Sequence, residues 1–145
     1  MSMKISTKGR YALRVLIDLA EHDSGEFIPL KEIAARQDIS EKYLESIIVV
    51  FSKAGLLIGH RGKGGGYKLA QPAENYKVGD VLRLIEGDLA PVTCLGDSSN
   101  TCPRAATCKT LPMWQKFYAM TNEFFDSYTV ADLADRGSAG DDYSI

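Results

Sequence analysis

The feature that most constrains this chain is an amphipathic helix pattern running directly into a glycine-rich hairpin, over residues 39–70. Ser40 is placed to cap a helix, Ile39 before it can pack on Leu44, and Leu44, Ile47, Ile48 and Phe51 recur at i, i+3, i+4 and i+7. That face is committed to a core. The opposite face carries Lys42, Glu45, Ser46, Val49 and Lys53, and Gly55 is placed to end the helix. Leu56-Leu57-Ile58 and Tyr67-Lys68-Leu69-Ala70 then read as two strands. Between them lies Gly59-His60-Arg61-Gly62-Lys63-Gly64-Gly65-Gly66, a cationic tip. Upstream, Pro29 suits a helix first turn, and Leu30, Ile33 and Ala34 give a short helix to Gln37 with a tight break at Asp38-Ile39-Ser40. Two helices joined by a tight break form a helix-turn-helix, and a hairpin directly after the second is a wing. The fold class expected is therefore mainly α: a winged helix-turn-helix with a two-stranded wing.

The architecture assigns chemistry to residues. The N-terminal turns of the second helix reach base edges in the major groove, which points to Lys42, Tyr43, Glu45 and Ser46. Arg61 suits a narrow minor groove, Lys63 a phosphate, and a small residue such as Gly65 lets backbone lie close to the sugar–phosphate chain. A polar helix face alone is more often just solvated surface. A nucleotide-phosphate loop is disfavoured, because no Gly-Lys-Ser/Thr opens a helix after these glycines. The net charge of −2 hides an asymmetry: residues 1–72 hold 11 basic and 8 acidic side chains, residues 73–145 hold 6 and 11. The basic half is the part suited to phosphate.

Around this segment the chain reads as further helices. Ser6 and Thr7 offer caps for a helix to Glu21, with Ala12, Leu13, Leu16, Ile17, Leu19 and Ala20 on its apolar stripe. Val78, Val81, Leu82 and Ile85 mark another, ending at Gly87. Thr110 and Pro112 open a long one on which Met113, Phe117, Met120 and Phe124 repeat in steps of four, three and four. An isolated helix with this stripe must cover it, either by closing the domain core or by pairing with its twin; the 4-3-4 seam favours the twin and a homodimer. Thr129 and Asp132 box the start of a last turn to Ala134, and residues 136–145 read as a flexible tail.

Every cysteine lies in one polar loop, Cys94, Cys102 and Cys108, spaced C-x7-C-x5-C. Turn residues fill the intervals, so core packing is a poor explanation. The spacing is not the paired C-x2-C of zinc ribbons, whereas iron–sulphur clusters accept wider intervals between thiolates. Zinc, bare redox thiols or inert thiols remain as alternatives. An odd count and no apolar leader at the start disfavour a disulfide framework and suggest a cytoplasmic protein. No apolar run approaches a membrane span, and no acid/base pair or activated nucleophile suggests an enzyme, so a small redox enzyme or electron carrier is the weakest reading.

These stretches together resemble a known family. Met3–Arg14, Ile39–Glu45, Arg61–Tyr67, Val78–Gly87 and the three cysteines are similar to the Rrf family of bacterial winged-helix regulators, in its cysteine-containing, cluster-sensing branch. The resemblance covers residues 3–134. It implies a homodimeric transcription factor with a crossing dimerisation helix, bound to a pseudo-palindromic double-stranded operator. It implies Tyr43, Glu45 and Ser46 in the major groove and Arg61 in the minor groove. It also implies an iron–sulphur cluster on Cys94, Cys102 and Cys108, of [2Fe–2S] rather than [4Fe–4S] type. The chain departs from the family pattern in three places. The first cysteine interval is two residues longer than usual. Leu111 stands where one branch has a ligand histidine, and Arg10 where another has a carboxylate. The fourth ligand is thus open: Asp97 is a local candidate, while His22 and His60 are remote in sequence. The expected organisation is one unit over 1–135: reader and wing 1–72, connector helix 73–93, cysteine loop 94–108, dimerisation helix and last turn 109–135.

Overall fold

A computed structural model describes residues 4–95 and 103–135. Helix α1, Thr7–Glu21, starts where Ser6 Oγ accepts the Gly9 N–H at 3.0 Å, and buries Ala12, Val15, Leu16, Asp18 and Leu19. Helix α2, Leu30–Gln37, begins after Pro29, which sits at the N-cap rather than inside the helix. It ends at Asp38, whose left-handed backbone (φ 54°) makes the tight break; Asp tolerates this region better than most side chains. Helix α3, Glu41–Lys53, is capped by Ser40 Oγ on the Tyr43 N–H and buries Leu44, Ile47, Ile48 and Phe51.

Strands β1, Leu57–His60, and β2, Gly66–Leu69, pair antiparallel with Leu57 opposite Leu69 and His60 opposite Gly66. The first strand runs two residues further toward the tip than the sequence suggested, so the cationic loop is confined to residues 61–65. Ile28, just before α2, adds a bridge to Tyr67 on the free edge of β2. A Cβ at Gly66 (φ +150°) would collide with the Ile28 carbonyl, so glycine is required for this close approach.

A single 3-10 turn at Ala73–Asn75 leads to α4, Val78–Glu86, and another at Thr93–Leu95 enters the cysteine loop. Helix α5, Leu111–Asp126, is followed by α6, Val130–Ala134, whose capping box pairs Thr129 with Asp132 as expected. Val130 is fully buried in the core formed by α1, α2, α3 and the wing base, so the chain returns to that core after α5.

The architecture is the mainly helical winged helix-turn-helix anticipated, with a two-stranded wing and a long C-terminal helix. One charged side chain is buried among the described residues: Asp18, on α1. Arg36 grips it with two hydrogen bonds of 3.0 and 2.8 Å, and Gln37 donates a third at 2.9 Å. Arg14 completes the tie by donating to the Gln37 side chain at 3.0 Å and to its carbonyl. The hydrogen bond to Asp18 raises the Arg36 pKa most, with the charges of Asp18 and Glu32 adding to it against burial. A polar lock thus sets α2 on α1, and the turn that launches α3 follows from the end of α2.

Candidate nucleic-acid interface and cysteine loop

Burial of Leu44, Ile47, Ile48 and Phe51 turns the other side of α3 outward. Lys42, Glu45, Ser46 and Val49 are exposed on it. Tyr43 differs: it is half-buried, and its ring packs edge-on against Tyr11 at 5.8 Å, with Arg14 stacked on the far partner at 4.7 Å. Ser46 Oγ donates back to the Tyr43 carbonyl at 2.6 Å, which uses its hydrogen and leaves the oxygen able to accept.

The wing presents Arg61 and Lys63, both exposed. Among the described residues neither these two nor Lys42 makes an ion pair. Gly65 is half-buried, and its N–H closes a tight turn on the Gly62 carbonyl at 2.9 Å. A Cβ there would collide with the His60 and Gly62 carbonyls. The glycine is therefore required by the turn itself, before any contact with a ligand. Phe27 stacks on His60 at 5.1 Å and lies under Lys68 at 4.7 Å, bracing the wing from the side.

Helix α5 buries none of its residues. Its inner face, with Trp114, Tyr118, Thr121, Asn122 and Phe125, is half-buried. Arg83 of α4 holds that face through Asp126 at 2.6 Å and Asn122 at 2.8 Å, and Tyr118 donates to Asp88 at 2.7 Å. On the outer face Met113, Phe117, Met120 and Phe124 are 41–57% exposed. Phe117, Met120 and Phe124 also line one wall of a cleft of about 870 Å³, whose other walls are the start of α1 and the 86–91 segment.

Cys94 sits in the 3-10 turn before the loop, and Cys108 lies two residues before the Thr110 cap of α5; both are half-buried. The Cys108 thiol is pushed down from the usual thiol range, foremost by the Thr110 hydroxyl 3.4 Å away, with the Thr110 and Leu111 amides and Arg104 adding to the effect against burial. Hydrogen-bond donors on a sulphur whose ionisation is favoured suit a thiolate ligand, so Cys108 fits metal or cluster ligation. Cys102 and Asp97 lie outside the described residues. Among the described residues no three His, Cys, Asp or Glu side chains converge. Leu111 is the first residue of α5. Arg10 is exposed, donates to Thr7 at 3.1 Å and lines the cleft. His22 is held by the Asp18 carbonyl and His60 by Phe27.

The sequence reading missed the Asp18 lock, the Ile28–Tyr67 bridge and the 86–91 wall of the cleft. Asp18 carried a usable signal, being a charge set between Ile17 and Leu19 in an apolar stripe. The others join residues distant in sequence and leave no local pattern.

Known proteins match this geometry. A family model described as Rrf2, an iron-dependent transcriptional regulator, matches residues 5–136. The Rrf2 protein of Nitratidesulfovibrio vulgaris is 42% identical over 131 residues, covering 90% of this chain and 87% of its own length. The transcriptional regulator IscR of Cereibacter sphaeroides is 39% identical over 134 residues, covering 90% and 86%. Among solved structures, CymR, the global cysteine regulator of Bacillus subtilis, superposes with a TM-score of 0.75 at 36% identity, covering 95% of this chain and 98% of that one. IscR of T. potens gives 0.75 at 37%, covering 97% and 93%. No helix among the described residues is long and apolar enough to cross a membrane. These relatives are regulators rather than enzymes, and the chain belongs to the Rrf2 family of winged-helix transcriptional regulators.

Proposed function

We propose that the protein works as a homodimer on double-stranded DNA, with two α3 helices in successive major grooves of a pseudo-palindrome. Lys42, Tyr43, Glu45 and Ser46 face base edges, Arg61 enters the minor groove, and Lys63 and the Gly65 backbone meet the sugar–phosphate chain. The observation that carries this reading is the exposure of α3 and the wing tip, whose cations Lys42, Arg61 and Lys63 make no ion pair among the described residues. Counter-charge from phosphate would complete them. The exposed seam of Met113, Phe117, Met120 and Phe124 supports pairing of two α5 helices, since an apolar strip of this kind is costly to leave in water.

The cysteine loop is the sensor in this proposal. Cys94, Cys102 and Cys108 would hold an iron–sulphur cluster, of [2Fe–2S] rather than [4Fe–4S] type, with the fourth ligand unassigned. When bound, such a group supplies a redox- and iron-sensitive centre whose loss reports on iron–sulphur supply or oxidative and nitrosative stress. The chain's own contribution is to favour ionisation of Cys108 at the root of α5, and to place Cys94 in the 3-10 turn that follows the 88–91 segment, where Tyr118 ties Asp88 to α5. A cluster held by these cysteines would then bias how α5 sits relative to α4, and a tenfold change in operator affinity needs only about 1.4 kcal/mol of coupling. A second reading, zinc or bare redox thiols in the same loop, draws on the same acidity of Cys108.

The test begins with a duplex selected from a random-sequence pool by the wild-type protein. Lys63→Ala should weaken binding on all duplexes and lower the salt slope by about one, while Glu45→Ala should change base preference. If both merely scale affinity alike on every duplex, the assignment of roles is wrong. Anaerobically purified protein should be coloured, and Cys102→Ala should be colourless yet dimeric and should bind the duplex as the apo protein does. Colourless wild-type protein with stoichiometric zinc would move the loop to the second reading. Equal binding by holo, apo and Cys102→Ala protein on every duplex would end the sensor proposal.

A further inference from the structure

Tyr76 is 5% exposed and its phenol oxygen lies across the open end of the wing. It donates to the Leu56 carbonyl at 2.6 Å and accepts the N–H groups of Ala70 at 3.0 Å and Gln71 at 3.2 Å. Leu56 immediately precedes β1 and Ala70 immediately follows β2, so one hydroxyl fastens both strands at their root. The Leu56 carbonyl also takes the Ala70 N–H, at 3.1 Å, which makes the phenol part of a closed set of bonds.

The same residue is tied on its other side to the end of the long helix. The Tyr76 carbonyl accepts the Val130 N–H at 2.8 Å, and the Val78 N–H donates to the Tyr128 carbonyl at 2.9 Å, so Lys77 and Thr129 face one another as an antiparallel bridge. Tyr128 lies two residues beyond α5, and Val130 is fully buried. The wing root, the entry to α4 and the exit of α5 therefore meet at Tyr76. A hairpin with a glycine-rich tip has little stiffness of its own, and its direction is set by what holds its base.

We propose that Tyr76 is a positioning residue for DNA binding: its hydroxyl fixes the angle of the wing relative to the exit of α5, and so delivers Arg61 and Lys63 to the duplex. The inference rests on the wing reading proposed above. Tyr76 itself touches no DNA.

Tyr76→Phe keeps the ring and deletes only the hydroxyl. On the selected duplex it should lower affinity about five- to tenfold, as expected when a fixed contact becomes a mobile one, with the dimer and helical content unchanged. In an Arg61→Ala/Lys63→Ala background the same substitution should cost less than about twofold, because the groups it positions are gone. Val15→Ala, a core change remote from the wing, serves as the control for mere destabilisation and should combine additively with the wing substitutions. If Arg61→Ala/Lys63→Ala leaves wild-type binding unchanged, the wing reading fails and this inference fails with it. If the wing substitutions weaken binding but Tyr76→Phe costs nothing, or costs the same in both backgrounds, the wing reading stands and the role of Tyr76 is overturned. Should Tyr76→Phe not fold, hydrogen exchange in the wild-type protein decides. The Gln71 amide, one residue beyond the last ladder bond, should be protected like the strand amides, and exchange at an open-loop rate would overturn the proposal.

Discussion

Helices α3 and α5 are written in nearly the same code and end in opposite environments. Both carry large apolar residues at intervals of three and four. In α3 the stripe Leu44, Ile47, Ile48 and Phe51 is at most 2% exposed. In α5 the stripe Met113, Phe117, Met120 and Phe124 is at least 41% exposed, and no residue of the helix is buried. The difference lies in what the chain supplies opposite each helix. The apolar face of α3 joins one core with residues of α1, α2, the wing root and Val130, whereas α5 is held to α4 by the bonds of Arg83 to Asn122 and Asp126. Apolar periodicity states that a face must be covered, and only the neighbours decide whether the cover belongs to the same chain.

The largest expected effect tests that contrast directly. Phe51→Ala should cost about 3–5 kcal/mol and threaten folding of the whole reader, because its cavity is closed on all sides. Phe124→Glu should leave the reader folded, with cooperative thermal unfolding and native helical content, yet convert dimer to monomer by sedimentation. A wild-type protein that sediments as a well-behaved monomer at micromolar concentration would show that the α5 stripe is not a dimer seam.

How much of this was legible beforehand follows the same line. Ends of elements were readable where a local cap writes them: Ser6, Ser40 and the Thr129–Asp132 box mark the starts of α1, α3 and α6 as anticipated. Elements set by distant pairing were not. Gly59 and His60 read as loop because glycine is a poor strand former, yet they face Tyr67 and Gly66 in the ladder. Tyr76 carried no signal in the stretch between the returning strand and the helix that starts at Val78, and only the hairpin root and the exit of α5 give its hydroxyl and carbonyl their tasks. Lys42, Glu45 and Ser46 fell on exposed surface because outward-facing polar residues are written in the helical period itself, whereas Tyr43 is half-buried against Tyr11. Gly65 was read as a residue for close approach to DNA, and the structure adds a purely local requirement for it. For the cysteine loop the sequence pattern still says more than the structure, since Cys102 lies outside the described residues.

A smaller effect sharpens the comparison through polar contacts. Arg36 and Arg83 each tie two helices through an aspartate, but Asp18 is fully buried while Asp126 is one-third exposed. Removing the partner of a buried carboxylate leaves an uncompensated charge and costs about 3–5 kcal/mol; an exposed pair is worth about 1 kcal/mol or less. Arg36→Met should therefore lower the denaturant midpoint several times more than Arg83→Met. Arg83→Met should act instead on α5, weakening the dimer more than the fold. Equal stability losses for the two would mean that α5 is as firmly seated in its own chain as α2 is.

The smallest effect concerns Tyr118, which ties α5 to the segment leading into the cysteine loop. Its pKa is raised, chiefly by the hydrogen bond to Asp88 with burial next, while the side chain of Asn122 and the charge of Arg83 pull the other way. A raised folded-state pKa means the protonated phenol is favoured in the folded protein. The stabilisation is therefore complete below the ordinary tyrosine value near 10 and is lost as pH climbs through the higher folded value. Tyr118→Phe should cost about 1 kcal/mol or less at neutral pH, since the bond is partly solvated, and should flatten the alkaline limb of the stability–pH curve. If Tyr118→Phe leaves the alkaline limb as steep as in the wild type, the Tyr118–Asp88 bond is not what fastens α5 to the segment before the cysteines. The path from the loop to the helix would then run through Cys108 at the root of α5, with Arg83 holding α5 through Asn122 and Asp126.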